Sequence, residues 1–126
     1  MFKRIDHIEI VPSNIEKSMD FYTNILGFKL KNRHQVKVPP LKEVIYLELN
    51  DTVLELLAVE GLSPKSIQPW QVGYRMMALE IEDMDKIIEY LKNKEVEITW
   101  GPVDLGRSIR AEIKDPDGLP IELRQW

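Results

Sequence analysis

Read for apolar spacing alone, the chain alternates short stretches of period two with two stretches of helical period, and the order of these stretches repeats. Residues 4 to 11 alternate as a strand. The segment "PSNIEKSMDFYTNILG" then offers a capping residue at Ser13 or Asn14, a stripe Ile15, Met19, Tyr22 and Leu26 at helical spacing, and Gly27 as a stop. Strand-like stretches follow at 28–36, 43–50 and 52–60, with Pro39 and Pro40 breaking the chain before the second and "ND" at 50–51 forming a tight hairpin between the second and third. After a Gly, Pro and Ser-containing connection the series restarts. Residues 74–81 predict a strand and 82–94 a helix with the stripe Met84, Ile87, Ile88 and Leu91. Strands are expected at 96–100, 107–114 and 119–125, the last two joined by the turn "DPDG".

The restart is a repeat. A shift of 69 positions, which carries residue 7 onto residue 76, places Asn14 on Asp83, Lys17 on Lys86 and Phe21 on Tyr90 without a gap. Near the far end the shift is 67, carrying residue 55 onto residue 122, and "VLELL" falls on "PIELR". The expectation is an α+β domain spanning 1–126, built from two tandem β-α-β-β-β modules. Module 1 covers about 4–60, a linker about 61–73, and module 2 about 74–126. Their curved mixed sheets are expected to curl toward a shared cavity as a half-open barrel.

Composition narrows the ligand more than the fold. With 21 acidic against 17 basic residues, a net charge of −4 and a pI near 5.2, the chain is a poor partner for nucleic acid or an anionic membrane. A small molecule is the expected ligand. No apolar run approaches a membrane span, the N-terminal stretch lacks the pattern of a secretory signal, and a cytoplasmic protein is expected. Cysteine is absent, which removes disulfides, thiolate metal sites and cysteine nucleophiles.

Candidate chemistry rests on one carboxylate and its echo. Alternation puts Val53, Glu55 and Leu57 on one face of their strand, with Leu54 and Leu56 on the other. A carboxylate between aliphatic neighbours is either on a solvated face, paired with a cross-strand cation, or bound to an ion. Its repetition at Glu122, and His7 in the first strand, favour an ion. One imidazole and two carboxylates suit divalent Zn, Ni, Mn, Fe or Co.

The stretches "DHIEIVPSNIEKSMDFYTNILGFKL", "LELL" and "DPDGLPIEL" together resemble the vicinal oxygen chelate superfamily of glyoxalase I, methylmalonyl-CoA epimerase, extradiol dioxygenases and bleomycin-binding proteins. The resemblance covers nearly the whole chain and is strongest to the glyoxalase I-like branch. It implies metal ligands in the first and last strands of each module, which fall on His7, Glu55, position 76 and Glu122. Met76 therefore stands where a second histidine is expected, and its thioether is a poor donor for such an ion. Met77 cannot replace it, because neighbouring strand residues face opposite ways.

Two expectations compete. Either His7, Glu55 and Glu122 bind a divalent metal alone, or the site has lost its metal and Met76 lines a ligand cavity. On the first, the resemblance implies a lyase or isomerase acting on a small carbonyl or 2-oxoaldehyde-derived substrate through a stabilised enediolate, with Glu122 moving the proton. The second is a bleomycin resistance-type binder without catalysis. Tyr46, Trp70, Met76 and Arg110 are the expected substrate contacts. Trp100 and Arg107 are weaker candidates, and His34 reads as an exposed strand end rather than a ligand. The resemblance further implies a homodimer.

Overall fold

The order of elements follows the sequence pattern closely in a computed structural model that describes residues 1–66 and 68–126. Ile67, inside the expected linker, lies outside the described residues. The chain divides into two compact units, Met1–Lys65 and Ser66–Trp126. The first contains β1 (Ile8–Ile10), α1 (Ile15–Asp20), β2 (Lys29–Val38), β3 (Leu41–Leu49) and β4 (Thr52–Val59). The second contains β5 (Met77–Glu80), α2 (Met84–Asn93), β6 (Trp100–Asp104), β7 (Ile109–Lys114) and β8 (Pro120–Gln125). Each unit forms one four-stranded mixed sheet, in the order β1-β4-β3-β2 and β5-β8-β7-β6, so the architecture is α+β.

The repeat holds at the level of hydrogen-bond register. The parallel pair β1/β4 matches Ile8 with Leu54 and Glu9 with Glu55; the parallel pair β5/β8 matches Met77 with Ile121 and Ala78 with Glu122. Both helices begin alike. Asn14 and Asp83 are extended, and each side chain accepts a hydrogen bond from the backbone N–H three residues on, at Lys17 (3.1 Å) and Lys86 (3.0 Å). This satisfies one of the free donors at a helix start, worth about 1 kcal/mol.

The first helix does not continue as the single α-helix that its stripe predicts. Beyond Asp20 it widens through Phe21–Ile25, where the Leu26 N–H donates to the Phe21 carbonyl five residues back (3.1 Å). Adjacent Phe21 and Tyr22 are both buried there, and Tyr22 meets Phe21 and Phe28 edge to face. They join Ile45 and Leu47 of β3 and Leu54 and Leu56 of β4 as the apolar core of the unit. Arg33 of β2 ties the sheet to α1 through Glu16 (2.5 Å) and also pairs with Glu43. In the second unit Met84 and Leu91 of α2 are buried, as are Ala111, Ile113, Ile121 and Leu123. The Met84 N–H donates to the Gln125 side chain (2.6 Å), fixing the start of α2 to β8.

Three strands depart from their expected bounds. The first is short: residues 4–7 have no ladder partner, and only Ile8–Ile10 pair with β4. The stretch 74–81 is half-buried at Met76 and Met77 rather than deeply buried, and Met76 precedes the ladder. The strand expected at 96–100 lies instead at Trp100–Asp104, across a Gly-Pro pair that reads as a breaker. Pro102 is tolerated because β6 is an edge strand. Gly101 (φ 76°) is required there, since a Cβ would lie 2.6 Å from the Arg110 carbonyl oxygen. The expected hairpin at 50–51 is present, with Asn50 at φ 51°, and so is the "DPDG" turn, where the Asp115 carboxylate accepts from the Asp117 and Leu119 N–H groups (both 2.9 Å). Among the described residues no helix is long and apolar enough to cross a membrane.

Candidate functional site

Register places one polar row across the first sheet. Glu9 of β1, Glu55 of β4, Tyr46 of β3 and Asn32 of β2 are successive cross-strand partners and share a face. His7, two residues before Glu9, and His34, two after Asn32, flank the ends of the row. The opposite face carries Leu54, Leu56, Ile45 and Leu47, all buried in the core. The alternation that hides these aliphatic side chains therefore presents every chemistry-bearing residue of the unit together.

The centre of the row is Glu55, whose side chain is only 8% exposed. A carboxylate so buried needs partners. His7 Nε2 stands 3.0 Å from Glu55 Oε2, and the Tyr46 phenol hydrogen-bonds to the same carboxylate. Desolvation, then that bond, raises the Tyr46 pKa, so the phenol stays protonated and donates. His7 is oriented from behind: its Nδ1 donates to Asp6 Oδ2 at 2.9 Å, which turns Nε2 toward Glu55 and Glu9 (3.4 Å to Glu9 Oε1). The hydrogen bond to Asp6, opposed by partial burial and aided by Glu9 and Glu55, raises the imidazole pKa.

Among the described residues, the group able to surround an ion is His7, Glu9 and Glu55, with one donor atom from each lying within 4.8 Å of the others. The donor set fits a divalent ion with nitrogen and oxygen preferences. So does its surround, because a ligating histidine ordinarily gives its other N–H to a carboxylate, as His7 does to Asp6. Expected ligands His7 and Glu55 are thus brought together. Glu9 was not anticipated, although the alternation in "DHIEI" puts it on the same side as His7. Tyr46 lies in the site as expected. His34 is exposed, but it is not an isolated strand end: it stacks on Tyr46 (ring centroids 6.3 Å apart, planes at 23°), while His7 meets the same ring edge-on at 6.2 Å.

The second unit carries a different row: Ala78, Glu122, Glu112 and Trp100. Glu122, the residue expected both to bind metal and to move a proton, is gripped by two guanidinium groups. Arg110 Nε donates to Oε2 (2.8 Å) and Arg124 Nε to Oε1 (2.6 Å). Burial pushes its pKa up, but Arg124 and Arg110 outweigh this and hold it below the usual carboxylate value. Arg110 also donates to Glu112 (2.5 Å) and lies over Trp100, its guanidinium carbon 5.0 Å from the ring centre. Met76 accepts a weak hydrogen bond at sulfur from Arg75 (3.3 Å), and Arg75 lies over Trp70 at 4.5 Å. Four expected contacts, Trp70, Met76, Arg110 and Glu122, thus belong to one connected set of residues within this unit.

The comparisons with known proteins agree with this fold. A family profile described as Glyoxalase/Bleomycin resistance protein/Dioxygenase superfamily matches residues 4–123. The chain is 33% identical to a lactoylglutathione lyase of Neisseria meningitidis, over 97% of this chain and 90% of that protein. It is 28% identical to lactoylglutathione lyase GLX1 of Arabidopsis thaliana, covering 98% of this chain but spanning only 44% of the longer plant protein. Its structure superposes on that of a glyoxalase family protein from Enterococcus faecalis with a TM-score of 0.84 at 27% identity, covering 98% of both chains.

Proposed function

Since the chain belongs to the Glyoxalase/Bleomycin resistance protein/Dioxygenase superfamily, we propose that it is a divalent-metal-dependent lyase or isomerase acting on a small carbonyl or 2-oxoaldehyde-derived substrate. The observation that carries this reading is the convergence of His7 Nε2 and the carboxylates of Glu9 and Glu55, with Asp6 fixing the imidazole from behind. His7 and Glu55 are the holding residues, and Glu9 is the third donor of their unit. A bound ion of the Ni, Zn, Mn, Co or Fe type supplies Lewis-acid stabilisation of charge that develops on a substrate oxygen.

The chain's own residues divide the remaining work. Tyr46 hydrogen-bonds to the Glu55 carboxylate, which His7 also meets through Nε2 at 3.0 Å. Glu9 is more than half exposed beside His7 and is the carboxylate placed to exchange a proton with a substrate carbon. Glu122 is a weak base while Arg110 and Arg124 hold it ionised. The single-domain reading and the homodimer belong to the same proposal; the outer strands β2 and β6 offer free edges for pairing.

A second reading, a metal-free small-molecule binder, is favoured by one specific observation. Module 2 presents Met76 and an already neutralised Glu122 where two ligands are expected. Titration of the stripped protein with Ni, Zn, Mn, Co and Fe(II) decides between them. The metal reading expects saturable binding that is lost in both His7→Ala and Glu55→Gln; no binding of any of the five ions establishes the binder instead. Conversion of the hemithioacetal of methylglyoxal by the metal-loaded protein then tests the lyase assignment.

A further inference from the structure

Strands β7 and β8 hold a charge arrangement that ought to be unfavourable. Arg110 lies directly opposite Arg124, and Glu112 directly opposite Glu122, so like charges face each other across the ladder twice. Pairing along and across the strands resolves this. Arg110 donates to Glu122 and Glu112, while Arg124 donates to Glu122 and, through Nη1, to the Ser108 hydroxyl (2.8 Å). Each of the four groups is answered inside the square, whose two cations and two anions balance.

Arg75 sits beside this square without being absorbed by it. It forms a long salt bridge with Glu112, its Nη2 3.7 Å from Oε1, which is beyond hydrogen-bond reach, and that oxygen already accepts from Arg110. The acceptor it does reach is the Met76 sulfur, a weak one. The guanidinium is 44% exposed, yet it is held in place by Trp70, whose ring centre lies 4.5 Å from its central carbon. Stacking occupies the flat face of a guanidinium and leaves the N–H groups at its edge, the geometry that grips planar oxyanions. Glu80, exposed on β5 opposite Arg124, makes no ion pair with Arg75.

We propose that the second unit contains an anion-binding site at Arg75, shelved on Trp70 beside Met76, which takes the carboxylate or phosphate group of a small molecule. The neutral square next to it matters as much as this third cation, which leaves the cluster one positive charge in excess, because carboxylates already engaged by arginine oppose an incoming anion less than free ones would. Because the fork is held before binding, little side-chain freedom is lost when the anion arrives. The site goes beyond the metal reading and is independent of it, since none of its residues is among His7, Glu9 and Glu55.

The test uses the chelator-stripped full chain at constant ionic strength, titrated separately with inorganic phosphate and with succinate, and with chloride as the reference. Tryptophan fluorescence and the arginine Nε–H resonances report binding. Saturable binding of at least one probe is expected, weakened about tenfold or more in Arg75→Gln, less in Arg75→Lys, and unchanged in Lys92→Gln on the exposed face of α2. Saturation by succinate alone identifies a carboxylate ligand and by phosphate alone a phosphorylated one. Responses that track ionic strength only, or full affinity in Arg75→Gln, overturn the proposal. Because no metal is present, failure here leaves the metal reading standing, and failure of metal binding leaves this site testable.

Discussion

Glu55 is a buried carboxylate with two donors aimed at it, His7 just before β1 and Tyr46 from β3. Tyr46 consequently acts on any bound ion through Glu55, as a positioning residue. Tyr46→Phe keeps the ring against His7 and His34 but removes the phenol, and is expected to weaken metal affinity about tenfold while the thermal midpoint of the metal-free protein changes little. Calorimetric titration beside a melting curve separates the two effects. Glu55 was legible from the sequence because a charged residue between aliphatic ones violates the strand pattern, and His7 because the repeat set it opposite Met76. Glu9 lies between Ile8 and Ile10 and carries the same violation, but the shift carries it onto Ala78, so no carboxylate in the second module echoes it. His34 is exposed and outside the ion-holding group, but its stacking on Tyr46 was not legible, because strand pairing supplies that partner and sequence spacing within β2 does not disclose it.

Elements repeat between the modules more faithfully than the residues they carry. Both helices begin on a side-chain cap at corresponding positions, yet one cap is Asn14 and the other Asp83. The backbone N–H of Lys86, opposed by slight desolvation and aided by the Lys86 side chain, lowers the Asp83 pKa below its ordinary value of 3.8. A group with a depressed folded value stabilises the protein above its unfolded pKa, and that contribution is lost as pH falls through the folded one. Asp83→Asn retains an accepting oxygen but cannot titrate. It should flatten the part of the acid limb below the ordinary carboxylate value of 3.8, in urea midpoints measured against pH, whereas Asn14→Gln should lower stability equally across the range. The caps, hairpins and the "DPDG" turn were readable because local chemistry determines them. The displacement of β6 to Trp100–Asp104 was not, because it depends on Gly101 lying against the Arg110 carbonyl, a contact made by pairing. Nor was the capture of Glu122, since it needs both β7 and β8 in register to bring Arg110 across.

Taken as a molecule, the chain is a duplication whose halves agree in backbone and differ in chemistry. One half collects histidines, tyrosine and the carboxylates they bond; the other collects arginines, tryptophans and arginine-paired carboxylates. On the metal reading, saturating an ion at a hundredfold excess over its dissociation constant should raise stability by about 2.7 kcal/mol, seen as a higher melting temperature that Glu55→Gln abolishes. Sequence alone revealed the duplication, as matched shifts of 69 and 67 positions. The family resemblance implied four ligand positions, and the shift could not correct this, because it aligns residues without stating what their neighbours do to them.

The sheet order has a consequence for how the protein is made. In each unit the first strand finds its parallel partner only in the last, Ile8 with Leu54 and Met77 with Ile121, so neither sheet can close until its final strand has left the ribosome. Once Val59 has emerged, however, every strand of the first sheet is available, while those of the second have yet to emerge. Synthesis thus hands the cell a finished first half early, and His7 meets Glu55 before Arg110 exists to be paired with anything.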